Sequence, residues 1–282
     1  MLQSTTTLVF HNAWAVNFNL SPASFKPNLV GVVNLINFTR NAMGHRTDNG
    51  LTPEELITTT NPAPNGYANS KYLGEHLLAQ AAKQSFLHAS FARVVQIAGP
   101  VRSPSLWNKA EWFPGLVLRS LHVGALPDTL GSALDRIDWV PVGLLAEVVV
   151  DLALNKNKTA SESVDVFYPV NLYPLAWEVI RPIMADALLK TSGKTAEIVP
   201  FKDWVRRIRQ DIETTGAGGN VLSGEELQAL DIMSKSTREN VLDTQLTVQR
   251  SGELQAVEAV QPEWIQNWVG EWVQRSFIAL HS

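Results

Sequence analysis

The chain has 282 residues, of which 45% are hydrophobic and 18% charged, a globular composition that excludes disorder over the whole length. Its net charge of −4 provides no basic excess to neutralise a phosphate backbone, so we expect no nucleic-acid partner. Because cysteine is absent, disulfides, thiolate metal sites and cysteine nucleophiles are excluded, which fits a reducing compartment.

The first 175 residues alternate between β-rich and helical patterns. Apolar runs typical of strands are found at Thr6–Phe10, Ser90–Ile97, Ile137–Val142 and Val164–Val170. Apolar residues recur at helical spacing in Asn28–Phe38, Tyr67–Lys83, Trp112–Leu121 and Leu144–Leu154. Residues 41–65 are polar and typical of a loop. The alternation predicts an α/β fold with a parallel sheet covered by helices.

The rest of the chain is mostly helical in pattern, and only Glu197–Val199 has the character of a strand. The helical patterns cover Leu175–Leu189, Phe201–Ile212, Gly224–Met233 and Pro262–Phe277. We therefore predict two domains, an α/β domain of residues 1–175 and a smaller, mostly helical domain of residues 176–282.

Targeting and metal-binding signals are not evident in the sequence. The N-terminal residues lack the basic and apolar regions of a signal peptide, and no run approaches the roughly 18 uninterrupted apolar residues of a membrane helix. A cytoplasmic location without membrane contact is expected. The six histidines lack metal-ligand spacing, so no metal site is predicted. Nothing in the sequence indicates the oligomeric state.

The sequence Tyr67-Ala-Asn-Ser-Lys71 opens a predicted helix and is the most informative motif. A spacing of four residues places the phenol and the ammonium on one face of a helix. The nearby cation is expected to lower the pKa of the phenol, which could then give its proton to a carbonyl oxygen as a hydride reaches the carbon. The lysine could also hold a ribose hydroxyl. An ordinary surface pair is the alternative interpretation.

Seven segments carry a likeness to a known family: His11–Asn19, Gly31–Leu35, Asn65–Lys71, Arg93–Pro100, Glu111–Pro114, Leu126–Asp128 and Ile137–Val142. Together they resemble the extended short-chain dehydrogenase/reductase superfamily. More narrowly, they resemble the fungal thioester reductase domains, of male-sterility type, that end non-ribosomal-peptide-synthetase-like and carboxylate-reducing enzymes. The resemblance covers nearly the whole chain, although no single segment is specific.

This resemblance implies an incomplete Rossmann-type NAD(P)-binding domain that lacks its first βαβ units, followed by a smaller, mostly helical substrate domain, with NADPH or NADH as cofactor. It implies a carrier protein bearing a phosphopantetheine thioester as substrate and partner, and an aldehyde or alcohol as product. Tyr67 would be the acid, Lys71 its partner and Asn28 the residue that holds a proton-relay water. The cofactor would be lined by His11, Asn12, Ala13, Arg93, Ile97 and Gly99. Trp14 and Trp112 are predicted near the substrate pocket.

The chain departs from the family pattern in ways that support a second hypothesis. No glycine-rich strand-to-helix turn precedes Thr6, although such a turn cradles the pyrophosphate in Rossmann domains. Between Phe38 and Tyr67 there is no apolar run to carry the family's catalytic Ser or Thr, and Thr58, Thr59 and Thr60 match a loop. The alternative is therefore a truncated, catalytically inactive chain that serves as a structural or binding module.

Overall fold

The computed structural model describes residues 8–12, 21–29, 52–58, 66–85, 88–102, 107–108, 111–132, 134–155, 164–215 and 242–279. Within them, a 3-10 turn, Pro22–Phe25, leads into helical residues 26–29. The strands are β1 Ser90–Ala92, β2 Ile97–Ala98, β3 Ala125–Pro127, β4 Arg136–Ile137, β5 Val140–Pro141, β6 Asp165–Phe167, β7 Leu175–Ala176 and β8 Glu197–Val199. The helices are α1 Gly66–Ser85, α2 Trp112–Val123, α3 Val142–Leu154, α4 Trp177–Ser192, α5 Phe201–Thr215, α6 Gln245–Arg250, α7 Gly252–Gln255 and α8 Pro262–Ala279.

Parallel pairing dominates among the described strands. β1 pairs with β6, β2 with β5 and β3 with β8, each in parallel, while the short strands β4 and β7 are antiparallel. Helices lie between the strands along the chain, as parallel pairing requires a crossover connection. The predicted α/β class with parallel strands is confirmed.

Most predicted elements are found close to their predicted bounds, and β8 coincides with the predicted Glu197–Val199. The predicted strand Ser90–Ile97 is instead two short strands, because β1 pairs with β6 while β2 pairs with β5. The predicted strand Thr6–Phe10 is wrong over its described part. Residues 8–12 form no strand, and Leu8, Val9 and Phe10 are exposed. The predicted helix Gly224–Met233 and most of Asn28–Phe38 lie outside the described residues.

The chain divides into two compact units that interleave along the sequence. Unit 1 comprises residues 1–93, 154–168 and 242–250, and unit 2 comprises residues 94–153, 169–241 and 251–282. The predicted division at residue 175 splits the chain only once, and that boundary stays a prediction.

Unit 2 contains a large apolar core. α8 packs against α4, and α2 packs against β3, α5 and α8. Gly124 and Gly193 end α2 and α4 with positive φ angles of 64° and 71°, which a residue with a side chain rarely adopts. Six aromatic side chains form a contiguous cluster in which ring centroids lie 4.5 to 6.4 Å apart: Trp107, Trp112, Phe113, Trp139, Trp268 and Trp272.

Unit 1 is built around α1 and the β1–β6 ladder. β1 and β6 run in register from Ser90 opposite Asp165 to Ala92 opposite Phe167. The backbone N–H of Asp243 donates to the carbonyl of Thr52 at 3.0 Å, beside a single parallel bridge between Thr52 and Leu242. Segment 52–58 is therefore fixed to the start of α6, although about 190 residues separate the two in sequence. None of the helices in the described residues combines the length and apolar character needed to cross a bilayer.

Candidate active site

Tyr67 and Lys71 occupy the first two turns of α1, where both side chains are half-buried. The Lys71 Nζ atom lies 5.6 Å from the centroid of the Tyr67 ring. Between them, Ser70 is fully buried and its hydroxyl donates to the Tyr67 carbonyl at 2.7 Å, which fixes the first turn of the helix. The predicted pairing of a phenol with an ammonium on one helical face is thus present.

Phe25 supports the phenol from the other side. Its fully buried ring lies edge-on to the Tyr67 ring, with centroids 6.1 Å apart. Asn28 lies three residues further along the same segment and is half-buried. The contact between Phe25 and Tyr67 therefore brings this segment, which carries the predicted supporting asparagine, close to Tyr67 within unit 1.

The protonation states differ from the sequence-based expectation. Burial raises the pKa of the Tyr67 phenol above its ordinary value of 10.0, so the predicted lowering is wrong. Burial disfavours the phenolate, because its charge loses part of its contact with water. Burial also lowers the pKa of Lys71, and the carboxylate of Glu75 opposes that shift. Tyr67 therefore carries its proton at neutral pH and is suited to act as a proton donor.

Arg93 lies directly after β1 and engages three partners with its side chain and backbone. Its Nε donates to Oε1 of Glu75 at 3.0 Å and its Nη2 to Oε2 at 2.8 Å. Its Nη1 donates to the Tyr168 hydroxyl, and its backbone N–H donates to the Phe167 carbonyl at 2.8 Å. The structure thus directs the guanidinium toward α1 and β6, and the predicted contact of Arg93 with a cofactor stays a prediction.

Sequence reasoning missed Glu75 and Tyr168 as members of this site. Glu75 follows Lys71 by four residues, so the helical spacing that linked Tyr67 to Lys71 could also have identified it. Tyr168 follows β6 and is buried, which raises the pKa of its phenol, while Arg93 acts in the opposite direction. No local signal in the sequence connects Tyr168 with Arg93, because the contact depends on strand pairing.

A family described as "Male sterility protein", an NAD-binding family, matches residues 41–149, which include Tyr67, Lys71, Glu75 and Arg93. Over these residues the chain is similar to the male sterility NAD-binding domains. The resemblance stated from the sequence is therefore confirmed.

Several relatives are named as reductases and are much longer than this chain. A carboxylic acid reductase of Neurospora crassa is 26% identical over 294 residues, which cover 96% of this chain and 27% of that protein. The adenylate-forming reductase Nps10 of Heterobasidion annosum is 30% identical over 231 residues, which cover 76% of this chain and 20% of that protein. The chain thus spans only about a quarter, or less, of the length of these relatives.

The fold is shared with a solved reductase domain. The terminal R domain from the myxalamid PKS-NRPS biosynthetic pathway superposes with a TM-score of 0.71 at 18% identity, covering 98% of this chain and 70% of that domain. This likeness confirms the expected Rossmann-like reductase fold.

The other residues predicted to bind the cofactor do not all lie in unit 1. His11 and Asn12 are exposed in unit 1, and Ala13 and Trp14 lie outside the described residues. Ile97 and Gly99, like the predicted pocket residue Trp112, belong to unit 2. Their predicted roles stay predictions.

Gly99 and Trp112 each have a packing role that the sequence did not indicate. A Cβ at position 99 would lie 2.8 Å from Nε1 of Trp268 and 2.9 Å from Cβ of Trp107, so the aromatic cluster itself requires glycine there. The Trp112 indole N–H donates to Oε1 of Gln96 at 2.6 Å. Within the described part of the chain, no group of three or more His, Asp or Glu side chains could hold a metal ion.

Proposed function

We propose that this chain binds a nicotinamide cofactor, NADPH or NADH, and reduces a thioester carried on the phosphopantetheine of a carrier protein. The observation that carries the proposal is the Tyr67–Lys71 pair, with the Lys71 Nζ atom 5.6 Å from the ring of a phenol that keeps its proton at neutral pH. The similarity to an NAD-binding family, to a carboxylic acid reductase and to the fold of a terminal R domain from a PKS-NRPS pathway supports it.

The donor groups of the pair fit the nicotinamide end of such a cofactor. A half-buried ammonium can hold the hydroxyl groups of a ribose, and a protonated phenol can donate to a carbonyl oxygen. Arg93 and Tyr168 follow the carboxyl ends of β1 and β6, and this edge of a parallel sheet is where α/β folds bind ligands. When bound, the reduced nicotinamide supplies the hydride.

The residues of the chain have defined tasks in this reaction. Lys71 would orient the ribose, and Tyr67 would hold the carbonyl oxygen and transfer its phenolic proton as the hydride adds to the carbonyl carbon. Breaking the carbon–sulfur bond then releases the aldehyde and the carrier thiol. One hydride and one proton are consumed for each thioester reduced. A second reduction of the aldehyde would yield the alcohol.

A second candidate function is a binding or structural module without turnover. In the described segment 52–58 there is no strand that could present a catalytic Ser or Thr beside Tyr67, and Thr58 is exposed. Removing one positioned hydrogen-bond donor to a developing oxyanion typically costs about 10²- to 10³-fold in rate. This observation favours slow or absent catalysis even where the cofactor binds.

Titration with NADPH and NADH distinguishes the two functions, with tryptophan emission as the binding signal and a pantetheine thioester as substrate. We expect saturable binding near micromolar cofactor together with oxidation of the cofactor by the thioester. Tyr67→Phe should retain cofactor binding and lose turnover by about 10²- to 10⁴-fold, since only the phenolic hydroxyl that donates the proton is removed. Tyr72→Phe, on the same helix, is the matched control and should react like the wild type.

The same titration also gives the results that would contradict the proposed function. A folded sample that shows no binding up to millimolar cofactor would leave only the module. Binding with equal turnover in Tyr67→Phe and wild type would retain the cofactor site and remove Tyr67 as the proton donor.

A further inference from the structure

Glu75 extends the Tyr67–Lys71 pair by one further helical turn. We call Tyr67, Lys71 and Glu75, which follow one another at steps of four residues, the α1 row. The Glu75 carboxylate ends the row in a two-point hydrogen bond to Arg93, and both of these side chains are 19% exposed. The pair is thus shielded from most of the solvent that weakens ion pairs on the surface.

The geometry of this ion pair restricts how α1 can move. A planar guanidinium that meets both oxygens of a carboxylate fixes orientation as well as distance. Arg93 is itself held by its backbone hydrogen bond to Phe167 and by the Nη1 contact with Tyr168. The fork therefore links the face of α1 that carries Tyr67 and Lys71 to both strands of the β1–β6 ladder.

Charges alternate along this contact. Lys71 and Glu75 lie on α1, and Arg93 follows β1. The Tyr168 phenol follows β6, and Glu54 of segment 52–58 is near enough to raise the pKa of that phenol. The Glu75 charge opposes the effect of burial, which lowers the pKa of Lys71. Arg93 in turn offsets part of the Glu75 charge.

We propose that Glu75 is a positioning residue for the Tyr67–Lys71 pair, because its carboxylate, held by both hydrogen bonds from Arg93, fixes the row on α1 and sets a negative charge four residues from Lys71 on the same helical face. Arg93 then acts through Glu75. The inference rests on the proposed function for its catalytic meaning, whereas the charge state of Lys71 can be measured without any turnover.

Competitive amine labelling with acetic anhydride, read by mass spectrometry of the peptide that contains Lys71, measures the neutral fraction of this amine in the full chain. Glu75→Gln should increase the labelling rate of Lys71 at pH 8 by about threefold, because the neighbouring negative charge is lost. Arg93→Gln should decrease the rate by a similar factor, because a positive charge is lost and the Glu75 charge is no longer offset. Glu147→Gln, in the Arg102 ion pair on α3, is the matched control and should label Lys71 at the wild-type rate.

Opposite changes in the two variants support the proposal, since a purely structural support would alter Lys71 in the same direction in both. A Lys71 labelling rate in folded Glu75→Gln that equals the wild-type rate would overturn the proposal. Loss of the fold in both variants would also overturn it, because the Glu75–Arg93 pair would then be a structural support only. Where turnover is measurable, Glu75→Gln should lose activity more steeply with rising pH than the wild type. A chain without turnover leaves the labelling result intact, so the two proposals fail separately.

Discussion

The two units differ in what holds them together. Among the described residues of unit 2, 27 buried residues form one apolar core, and the indole N–H groups of Trp177, Trp204, Trp268 and Trp272 each find an acceptor within 3.3 Å. In unit 1, the described contacts that join distant segments include the Arg93–Glu75 fork and the hydrogen bonds accepted by Glu54. The candidate chemistry thus lies in the unit where half-buried polar and charged groups make the contacts, while the apolar packing that stabilises a fold is concentrated in the other.

Aromatic residues provide separate signals for the two units. Eight of the nine tryptophans fall within the residue ranges of unit 2, and Trp14 alone falls within unit 1. Tryptophan emission during urea unfolding therefore reports mainly on unit 2. Hydrogen exchange of peptides from residues 66–93 and 242–250 reports on unit 1. Together, these two measurements test whether apolar packing stabilises unit 2 and polar contacts stabilise unit 1.

The largest effect is expected from Phe113→Ala. The Phe113 ring is fully buried and lies between Trp107, at 5.7 Å between centroids, and Trp139, at 4.5 Å. Removing it leaves a cavity in the aromatic cluster and should lower the free energy of unfolding by about 3–5 kcal/mol. Urea unfolding followed by tryptophan emission measures this loss. Phe113→Leu, which fills most of the space, should lose clearly less, and a loss below about 1 kcal/mol for the alanine variant would contradict the assignment of stability to this core.

Gly99→Ala tests whether packing or a cofactor requires the glycine. Because the new methyl group would lie 2.8 Å from Nε1 of Trp268, we expect a loss of about 1–3 kcal/mol without any cofactor present. Gly270→Ala, on α8, is the control, since its methyl group would meet no atom within 4 Å. Alanine there should stabilise the helix by about 0.5–1 kcal/mol. If Gly99→Ala were as stable as the wild type, packing would not require the glycine, and binding would be the only remaining role for it.

Sequence periodicity predicted the elements whose residues contact their neighbours through apolar faces. α1 and α8 agree with their predicted bounds within about two residues, and the Trp264, Trp268 and Trp272 stripe packs as a helix face should. Periodicity predicted single strands where the structure has two short ones. Residues 93–96 separate β1 from β2, which pair with different strands, and the buried Asp138, bonded to Arg136, lies between β4 and β5.

The candidate site shows the same limit. The Tyr67–Lys71 pair is a local spacing, and the sequence predicted it. The sign of the Tyr67 pKa shift depends on burial by surrounding residues such as Phe25, which lies 42 positions earlier in the chain, and pattern reasoning from the pair alone gave the wrong direction. Helix α6 was not predicted at all, because it is short and its first turn is capped by Glu54 from a segment far away in sequence.

The smallest expected effect, a pH dependence at Glu54, tests the polar unit. Glu54 accepts hydrogen bonds from the backbone N–H groups of Leu246 at 2.5 Å and Thr247 at 2.7 Å, and from the Thr247 hydroxyl. Burial nevertheless raises its pKa above the ordinary 4.5, and the hydrogen bonds only partly offset this. The folded carboxyl therefore binds its proton more tightly than the unfolded one, so its contribution to stability is complete below pH 4.5 and is lost as the pH rises through the folded pKa.

Hydrogen exchange of residues 242–250 between pH 4 and pH 7, corrected for intrinsic exchange, measures this contribution. Protection in the wild type should fall with pH relative to Glu54→Gln, which cannot titrate, while Glu55→Gln on the same segment should follow the wild type. Above the folded pKa of Glu54, Glu54→Gln should also be less protected than the wild type, because an amide offers one acceptor oxygen where the carboxylate offers two. Wild-type protection that rises relative to Glu54→Gln over this range would mean that the hydrogen bonds to α6 outweigh the cost of burying the charge. Ionised groups would then stabilise unit 1 more than the burial of Glu54 implies. The two units would differ even more in how far charged contacts, as opposed to apolar packing, stabilise them.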